Sequence, residues 1–441
     1  MKKPLSLWAV VLLGAVLIWT RLEYTELRGW ARLQVTTWDA FGYYQYLPAV
    51  FIHHDIERQD WVAAVDSTYH VVGTGGLYQL MDLENGNRAT KYLCGTALLE
   101  TPFFLLGHAI AGRTGHPQDG FSPPYQWALA FAALCYCLPA LFLLRVVLLR
   151  SFSDTITALV LLLIVLATNA IQYISVDSAQ THGFLFALYC LILWATVKWH
   201  ERPRVHWALL IGITIGLATV TRPTELIMLF IPLLWDTRSP AAAKAKWALV
   251  RSHRAHLGWA IAGAAMAALP QLVYWKIVTG SWVFDVGSKW DFVDPHWRVL
   301  IGWEKGWFIY TPITVLFIAG LFFMRGRPWR KSVLTFTLLN IWIVIAWHDW
   351  RYGGSYSARA LVQSYPVLAL PFAALLERAL ATRWRWPMLV LCAYLLCVNF
   401  FQIKQYNNGV IRFDGMDRAS YGAVYLNAHP DPARAVPERI E

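Results

Sequence analysis

One aspartate set among aromatics, in Trp38-Asp39-Ala40-Phe41-Gly42-Tyr43-Tyr44-Gln45-Tyr46-Leu47-Pro48, is the best candidate for a catalytic carboxylate. Such a group takes a proton from an acceptor hydroxyl once it lies within hydrogen-bond reach. Phe41, Tyr44 and Leu47 share a helical face, which predicts a helix lying on a membrane surface. Thr37 is the expected N-cap and puts Asp39 in the first turn. There an aspartate would equally complement the helix dipole, so a catalytic and a structural reading of Asp39 stand side by side.

Cations and glycines supply the complementary chemistry. Arg351, Tyr352, Gly353, Gly354 and Arg359 fall in Trp347–Arg359, Lys289 in Val286–Phe292, and Lys305 ahead of Gly306-Trp307. Arginine grips phosphate bidentately, and glycines let backbone N–H groups approach an anion. Lys91-Tyr92, His182 and His348 are further candidates for contact with a substrate. Arg222, beside Pro223 at the end of an apolar segment, is costly at that depth and reads either as a functional cation or as a structural partner of Glu225. Interfacial Trp, Tyr and Arg also anchor helices, but their clustering in several loops favours a site. His53-His54-Asp55-Ile56-Glu57 looks like a metal cluster, yet adjacent histidines and acids two apart do not share a helical face; no metal ligand is assigned.

The elements that must position these groups are membrane spans. Of 441 residues, 57% are hydrophobic and only 15% charged, with mean hydropathy +0.42. Apolar runs at 5–20, 126–148, 155–174, 181–198, 207–221, 224–236, 256–275, 307–324, 331–347, 361–377 and 387–403 predict about eleven spanning helices in an all-α fold. The gaps 1–4, 144–155, 198–206, 236–256, 325–331 and 377–386 carry 19 Lys and Arg against four acids, whereas the rest of the chain has 19 against 23. This alternation sets the basic loops inside and the N-terminus in the cytoplasm. The net charge of +11 is thus distributed as retained loops require, and nucleic acid is not expected as a partner.

Residues 5–20 are expected to stay as an uncleaved first helix, since no small-residue cleavage site follows. The long segment 21–125, the turn 175–181, and loops 276–306 and 348–360 then lie outside, followed by a short polar tail, 404–441, after a single domain, 1–403. Gly95–Gly112 is apolar, but holds Glu100, Pro102 and His108, and a span there would invert every later loop. An interfacial or re-entrant helix is expected. Spans 207–221 and 224–236 have a competing reading as one long helix broken at Arg222-Pro223.

The chain resembles the GT-C glycosyltransferases of the membrane, being similar to protein O-mannosyltransferases and the lipid A aminoarabinose transferase, and most like bacterial members. The resemblance rests on Trp38-Asp39, KYLCGTALLETPFFLLGH (91–108), the Arg222-Pro223 break, KGWFIYTP (305–312) and WRYGGSYSAR (350–359) ahead of Tyr365-Pro366. It implies a GT-C-like fold and a polyprenyl-phosphate-linked sugar donor used on the outer face of the plasma (inner) membrane, without nucleotide or other cofactor. It implies Asp39 as base, with Arg222, Lys289, Lys305, Arg351 and Arg359 as candidate holders of the lipid phosphate. The acceptor would be a lipid, glycan or protein. Direct displacement would invert the sugar carbon. The pattern departs from relatives with paired acids in the first loop, since Asp39 has no acidic neighbour. It also lacks the Asp-x-Asp of the metal-dependent oligosaccharyltransferase branch. A ligase or polymerase of polyprenyl-linked glycans is the alternative enzyme. A transporter is the non-enzyme alternative, though mid-span charges are scarce and no repeat is visible.

Overall fold

A computed structural model describes residues 4–28, 33–73 and 76–431. The inside assignment of Met1 to Lys3 and the last ten residues of the polar tail lie outside the described residues. The helices run α1 Leu5–Arg28, α2 Asp39–Tyr44, α3 Tyr46–Phe51, α4 Val62–Tyr69, α5 Gly95–Thr114, α6 Pro123–Ala130, α7 Ala132–Leu148, α8 Asp154–Leu166, α9 Thr181–Glu201 and α10 Val205–Thr221. They continue as α11 Phe230–Leu234, α12 Pro240–Ser252, α13 Arg254–Thr279, α14 Arg298–Ile301, α15 Trp307–Tyr310, α16 Thr314–Gly320, α17 Arg330–Ala346, α18 Tyr365–Leu380, α19 Arg385–Asn407 and α20 Arg418–Val424. One antiparallel hairpin, β1 Leu80–Asp82 and β2 Arg88–Thr90, pairs Met81 with Ala89.

Among the described residues six helices are long and apolar enough to cross a membrane: Leu5–Thr25, Pro123–Leu148, Thr181–Glu201, Arg254–Thr279, Arg359–Leu380 and Arg385–Asn407. Four further apolar helices, Asp154–Leu166, Val205–Thr221, Pro223–Leu234 and Thr314–Phe323, are shorter. The expected spans therefore recur as helices, but length and composition alone do not account for eleven crossings. Gly95–Thr114 is a continuous 20-residue helix outside that set of six.

Local chemistry sets the breaks. Ser153 and Ser239 cap α8 and α12 by accepting from Ile156 N and Ala242 N. Pro223 forces Arg222 into extended backbone (φ −148°, ψ 122°), so α10 stops there. A 3-10 turn, Pro223–Leu229, then starts the return toward α11. Arg222 faces the start of α9 electrostatically, while Trp235, just beyond α11, lines a cavity with Glu201 at the end of α9. The segment thus doubles back at Arg222-Pro223 and is not one long broken helix.

The basic loops gather at one end of this bundle. Asp236 N donates to Pro328 O at 2.9 Å. Arg327 bonds Ser151 O at 3.0 Å and pairs with Glu377. Arg150 pairs with Glu201 at 3.0 Å, and Arg145 reaches Ser6 at 2.7 Å. At about 1.5 Å of rise per residue, α9 puts its two ends roughly 30 Å apart.

At the opposite end, α2 to α6 and the hairpin form a second layer around Phe41, Tyr44, Phe104, Phe121 and Tyr125. It is fastened to α13 by Thr90 N to Tyr274 OH (2.8 Å) and Cys94 N to Gln271 Oε1 (2.7 Å). This corrects the expectation of one amphipathic surface helix. The helix breaks at Gln45, and Phe41, Tyr44 and Leu47 are buried inside the layer. Thr37 is not the cap either: Trp38 holds that position, with no side-chain capping bond.

Candidate active site

Asp39 is the first residue of α2, and its aim is set by the residue before it. Trp38 has φ 56°, a left-handed conformation that is uncommon outside glycine. Three contacts hold it there. Trp38 N donates to Val71 O (3.0 Å), Gln79 Nε2 donates to Trp38 O (3.1 Å), and the indole lies so close to Gly73 that a Cβ on Gly73 would sit 2.7 Å from the ring. A non-glycine residue held this way costs on the order of 1–3 kcal/mol and persists only where its surroundings enforce it.

The Asp39 carboxylate accepts three hydrogen bonds. Oδ1 takes the phenols of Tyr92 (2.7 Å) and Tyr78 (3.0 Å), and Oδ2 takes Nη2 of Arg359 at 2.7 Å. Arg359 opens the 3-10 turn Arg359–Ser364 that leads into α18, 320 positions away in sequence. The ion pair is largely buried, with side-chain exposures of 8% for Arg359 and 22% for Asp39, so the opening to solvent is on the aspartate side. Burial works to raise the Asp39 pKa, but the charge of Arg359 and the bonds from Tyr92, Arg359 and Tyr78 outweigh it, and the carboxyl stands below its ordinary value. Burial and the Asp39 charge push both phenols up, so they stay protonated donors.

Behind Arg359 lie His182, fully buried in the first turn of α9, and Arg222, half-buried at the end of α10. The charges of Arg222 and Arg359 are both felt at His182. Glu225 is buried and accepts from Tyr189 OH and, at 3.0 Å, from Gln363 Nε2. Those side chains are its hydrogen-bond partners, so the alternative reading of Arg222 as a structural partner of Glu225 finds no direct ion pair among the described residues.

Two solved structures of the Archaeoglobus fulgidus oligosaccharyltransferase are similar to the chain. The apo form shares 13% identity over 99% of this chain and 62% of that one, with a TM-score of 0.53. The form in complex with an inhibitory peptide and a dolichol-phosphate, AglB, shares 13% identity over 98% and 61%, with a TM-score of 0.50. The chain has the GT-C fold. It spans about three-fifths of the length of these neighbours. No family model and no curated protein matches it.

Within this GT-C fold the sequence candidates divide. Asp39, Tyr92 and Arg359 are in direct contact, with His182 and Arg222 behind them. Lys305 is buried, but its Nζ donates to Arg351 O (3.1 Å) and Gly353 O and pairs with Asp414 (3.5 Å). It braces the Gly353-Gly354 turn and bonds elsewhere than to Asp39. Arg351 pairs with Glu304 at 3.0 Å and lies over the Trp350 ring. Burial and the side-chain hydrogen bond with Asp414 raise Glu304, while the same bond lowers Asp414.

Tyr352 has φ 54°, and its phenol donates to Val344 O (2.6 Å), a structural contact. His348 and Lys289 are exposed and bond to each other, His348 Nδ1 to Lys289 O (3.0 Å), where loops 276–306 and 348–360 pair. Lys91 is exposed beside Tyr92. In the suspected metal cluster, His53 stacks on Trp61 (4.5 Å), His54 bonds Val50 O (3.0 Å), and Asp55 caps the Arg58 and Asp60 N–H groups. The sequence reading missed Tyr78 and Gln363. Gln363 stands one turn after Arg359; Tyr78 carries no local signal.

Proposed function

We propose that the chain is a membrane glycosyltransferase. It moves a sugar from a polyprenyl-phosphate donor to an acceptor hydroxyl on the outer face of the membrane, with Asp39 as general base and Arg359, assisted by Arg222, holding the donor phosphate. The observation that carries this reading is the Asp39–Arg359 contact at 2.7 Å, largely buried and flanked by two phenols, which sets a base and an anion-binding cation side by side. The GT-C fold, and a solved neighbour that holds a dolichol-phosphate, support the donor class.

The acceptor oxygen attacks the sugar C1 as its proton passes to Asp39. The bond from C1 to the phosphate oxygen breaks, and its electron pair leaves with the polyprenyl phosphate. Attack opposite the leaving group inverts C1. Asp39 tied to Arg359 is a weak base. When the donor phosphate competes for the guanidinium, Oδ2 is freed and the carboxylate becomes more basic where the acceptor arrives. The same guanidinium then stabilises the charge growing on the leaving phosphate. This couples donor binding to activation of the base. Two phenols and a guanidinium suit a carboxylate and not a divalent cation, which takes carboxylate, carbonyl and water oxygens; no step is routed through a metal.

The test is incubation of purified protein in lipid with radiolabelled polyprenyl-phosphate sugars and envelope acceptors. Labelled product is expected, and Asp39→Asn should lower the rate on the order of a thousandfold without loss of folded protein. Arg359→Ala should raise the donor KM roughly tenfold or more. Full activity in Asp39→Asn removes Asp39 as base. A labelled chain in place of a single sugar would indicate a ligase or polymerase.

A further inference from the structure

Behind Arg359 runs a buried chain of side chains that the reaction above does not use. Tyr189 OH donates to Glu225 Oε2, and Gln363 Nε2 donates to Glu225 Oε1 at 3.0 Å. The other end of the same amide, Gln363 Oε1, meets His182 Nδ1 at 3.1 Å. All four groups are buried; His182 and Tyr189 have no solvent exposure.

The direction of the bonds fixes the imidazole. A carboxylate accepts, so it takes both the phenol and the amide N–H, and the amide oxygen of Gln363 must turn toward His182. A carbonyl oxygen also only accepts, so His182 carries its proton on Nδ1. A second proton, on Nε2, would set a third positive charge beside Arg222 and Arg359 in a site without solvent. Nε2 is therefore a lone pair. Among the described residues it has no hydrogen-bond partner, and neither does the buried Nε–H of Arg359. An unpartnered acceptor and an unpartnered donor thus stand on neighbouring elements, each a costly group to leave unbonded.

We infer that Tyr189, Glu225 and Gln363 are positioning residues that present the His182 Nε2 lone pair to the Arg359 Nε–H, and that this bond forms when the donor phosphate draws the guanidinium off Asp39. Arg359 then has two anchored positions. One is on Asp39, as observed. The other is on the phosphate, with its rear N–H held by His182. This rests on the proposed role of Arg359.

The experiment compares donor KM, kcat and thermal melting for His182→Asn, His182→Gln and Glu225→Gln, with a polyprenyl-phosphate sugar that the unaltered enzyme turns over. Asparagine keeps a group at the Nδ1 position, able to bond Gln363, and loses Nε2. Glutamine keeps an acceptor near the Nε2 position. His182→Asn is expected to raise donor KM about tenfold with kcat changed less than threefold, as loss of one hydrogen bond to a charged group predicts. His182→Gln should recover most of that affinity. Glu225→Gln, which no longer dictates which way Gln363 faces, should fall between them. All three are expected to melt within a few degrees of the parent. Equal KM values for His182→Asn and His182→Gln, or a KM rise that tracks a fall in melting temperature, would overturn the inference. Its failure is separable from failure of the proposed function, which shows as absent turnover in the parent or full activity in Asp39→Asn.

Discussion

Asp39 works against its own hydrogen bonds. Each donor that orders the carboxylate also lowers its basicity, and burial, which pushes the other way, is outweighed. A carboxyl held below its unfolded value contributes stability that is present above that value, near 3.9. That stability is lost as pH falls through the lower folded value. The ion pair should therefore stay intact across neutral and mildly acidic pH. The acid limb of the pH–rate profile should lie below the ordinary carboxylate range in the free enzyme. Tyr92→Phe removes one donor and should move that limb upward. Gly42→Ala should do the same with the phenol still present, because its Cβ would lie 2.2 Å from the Tyr92 ring and push it aside. A kcat/KM profile of each variant checks this; unchanged limbs in both would mean that Asp39 does not govern the rate. Residue type and face made Asp39, Tyr92 and Arg359 legible in the sequence. Tyr78 and Gln363 were not, because a tyrosine in a polar loop and a glutamine in an apolar run acquire meaning only from what they touch.

The helices hold the site through a few close seams. Gly212 and Gly216, four apart on α10, let the α13 backbone approach so near that a Cβ would lie 1.9 Å from Ala260 O and 2.5 Å from Ala264 O. Gly263 on α13 answers with 2.6 Å to Leu209 O. In lipid, where burial of apolar surface gives helices little reason to associate, such small-residue contact is the main source of adhesion. Gly212→Ala should cost about 1–3 kcal/mol, by overpacking against a backbone that cannot yield. A lower melting temperature in detergent would show it, as would a site loosened through Arg222 at the end of the same helix. The apolar pattern showed where most of these helices lie. It could not show that Phe41, Tyr44 and Leu47 after Asp39 are buried inside a protein layer, since a helical face reads the same whether membrane or protein covers it.

The whole molecule separates its charges along the bundle. The contacts of Arg327 with Ser151 and Glu377, of Arg150 with Glu201 and of Asp236 with Pro328 draw the basic loops to one end, and the Asp39–Arg359 pair stands at the other. The positive-inside rule predicts that the Asp39 end faces away from the cytoplasm. A cysteine at exposed Thr155 should resist an impermeant thiol reagent in intact cells, while one at Val293, 95% exposed in loop 276–306, should react. The reverse labelling would put the Asp39 end in the cytoplasm and end the case for a donor used on the outer face.

Hydrophobic periodicity and loop charge are properties of short stretches, so the sequence alone determined the helical membrane architecture, the alternation of basic loops and the aspartate worth watching. The Arg359–Asp39 bond joins residues 320 positions apart. No local pattern encodes such a contact, because it depends on how α2, α9, α10 and the turn before α18 pack together. The tertiary structure decided which of many loop cations meets the carboxylate. It also decided that Lys305, Arg351 and His348 brace loops, and that a buried relay stands behind Arg359.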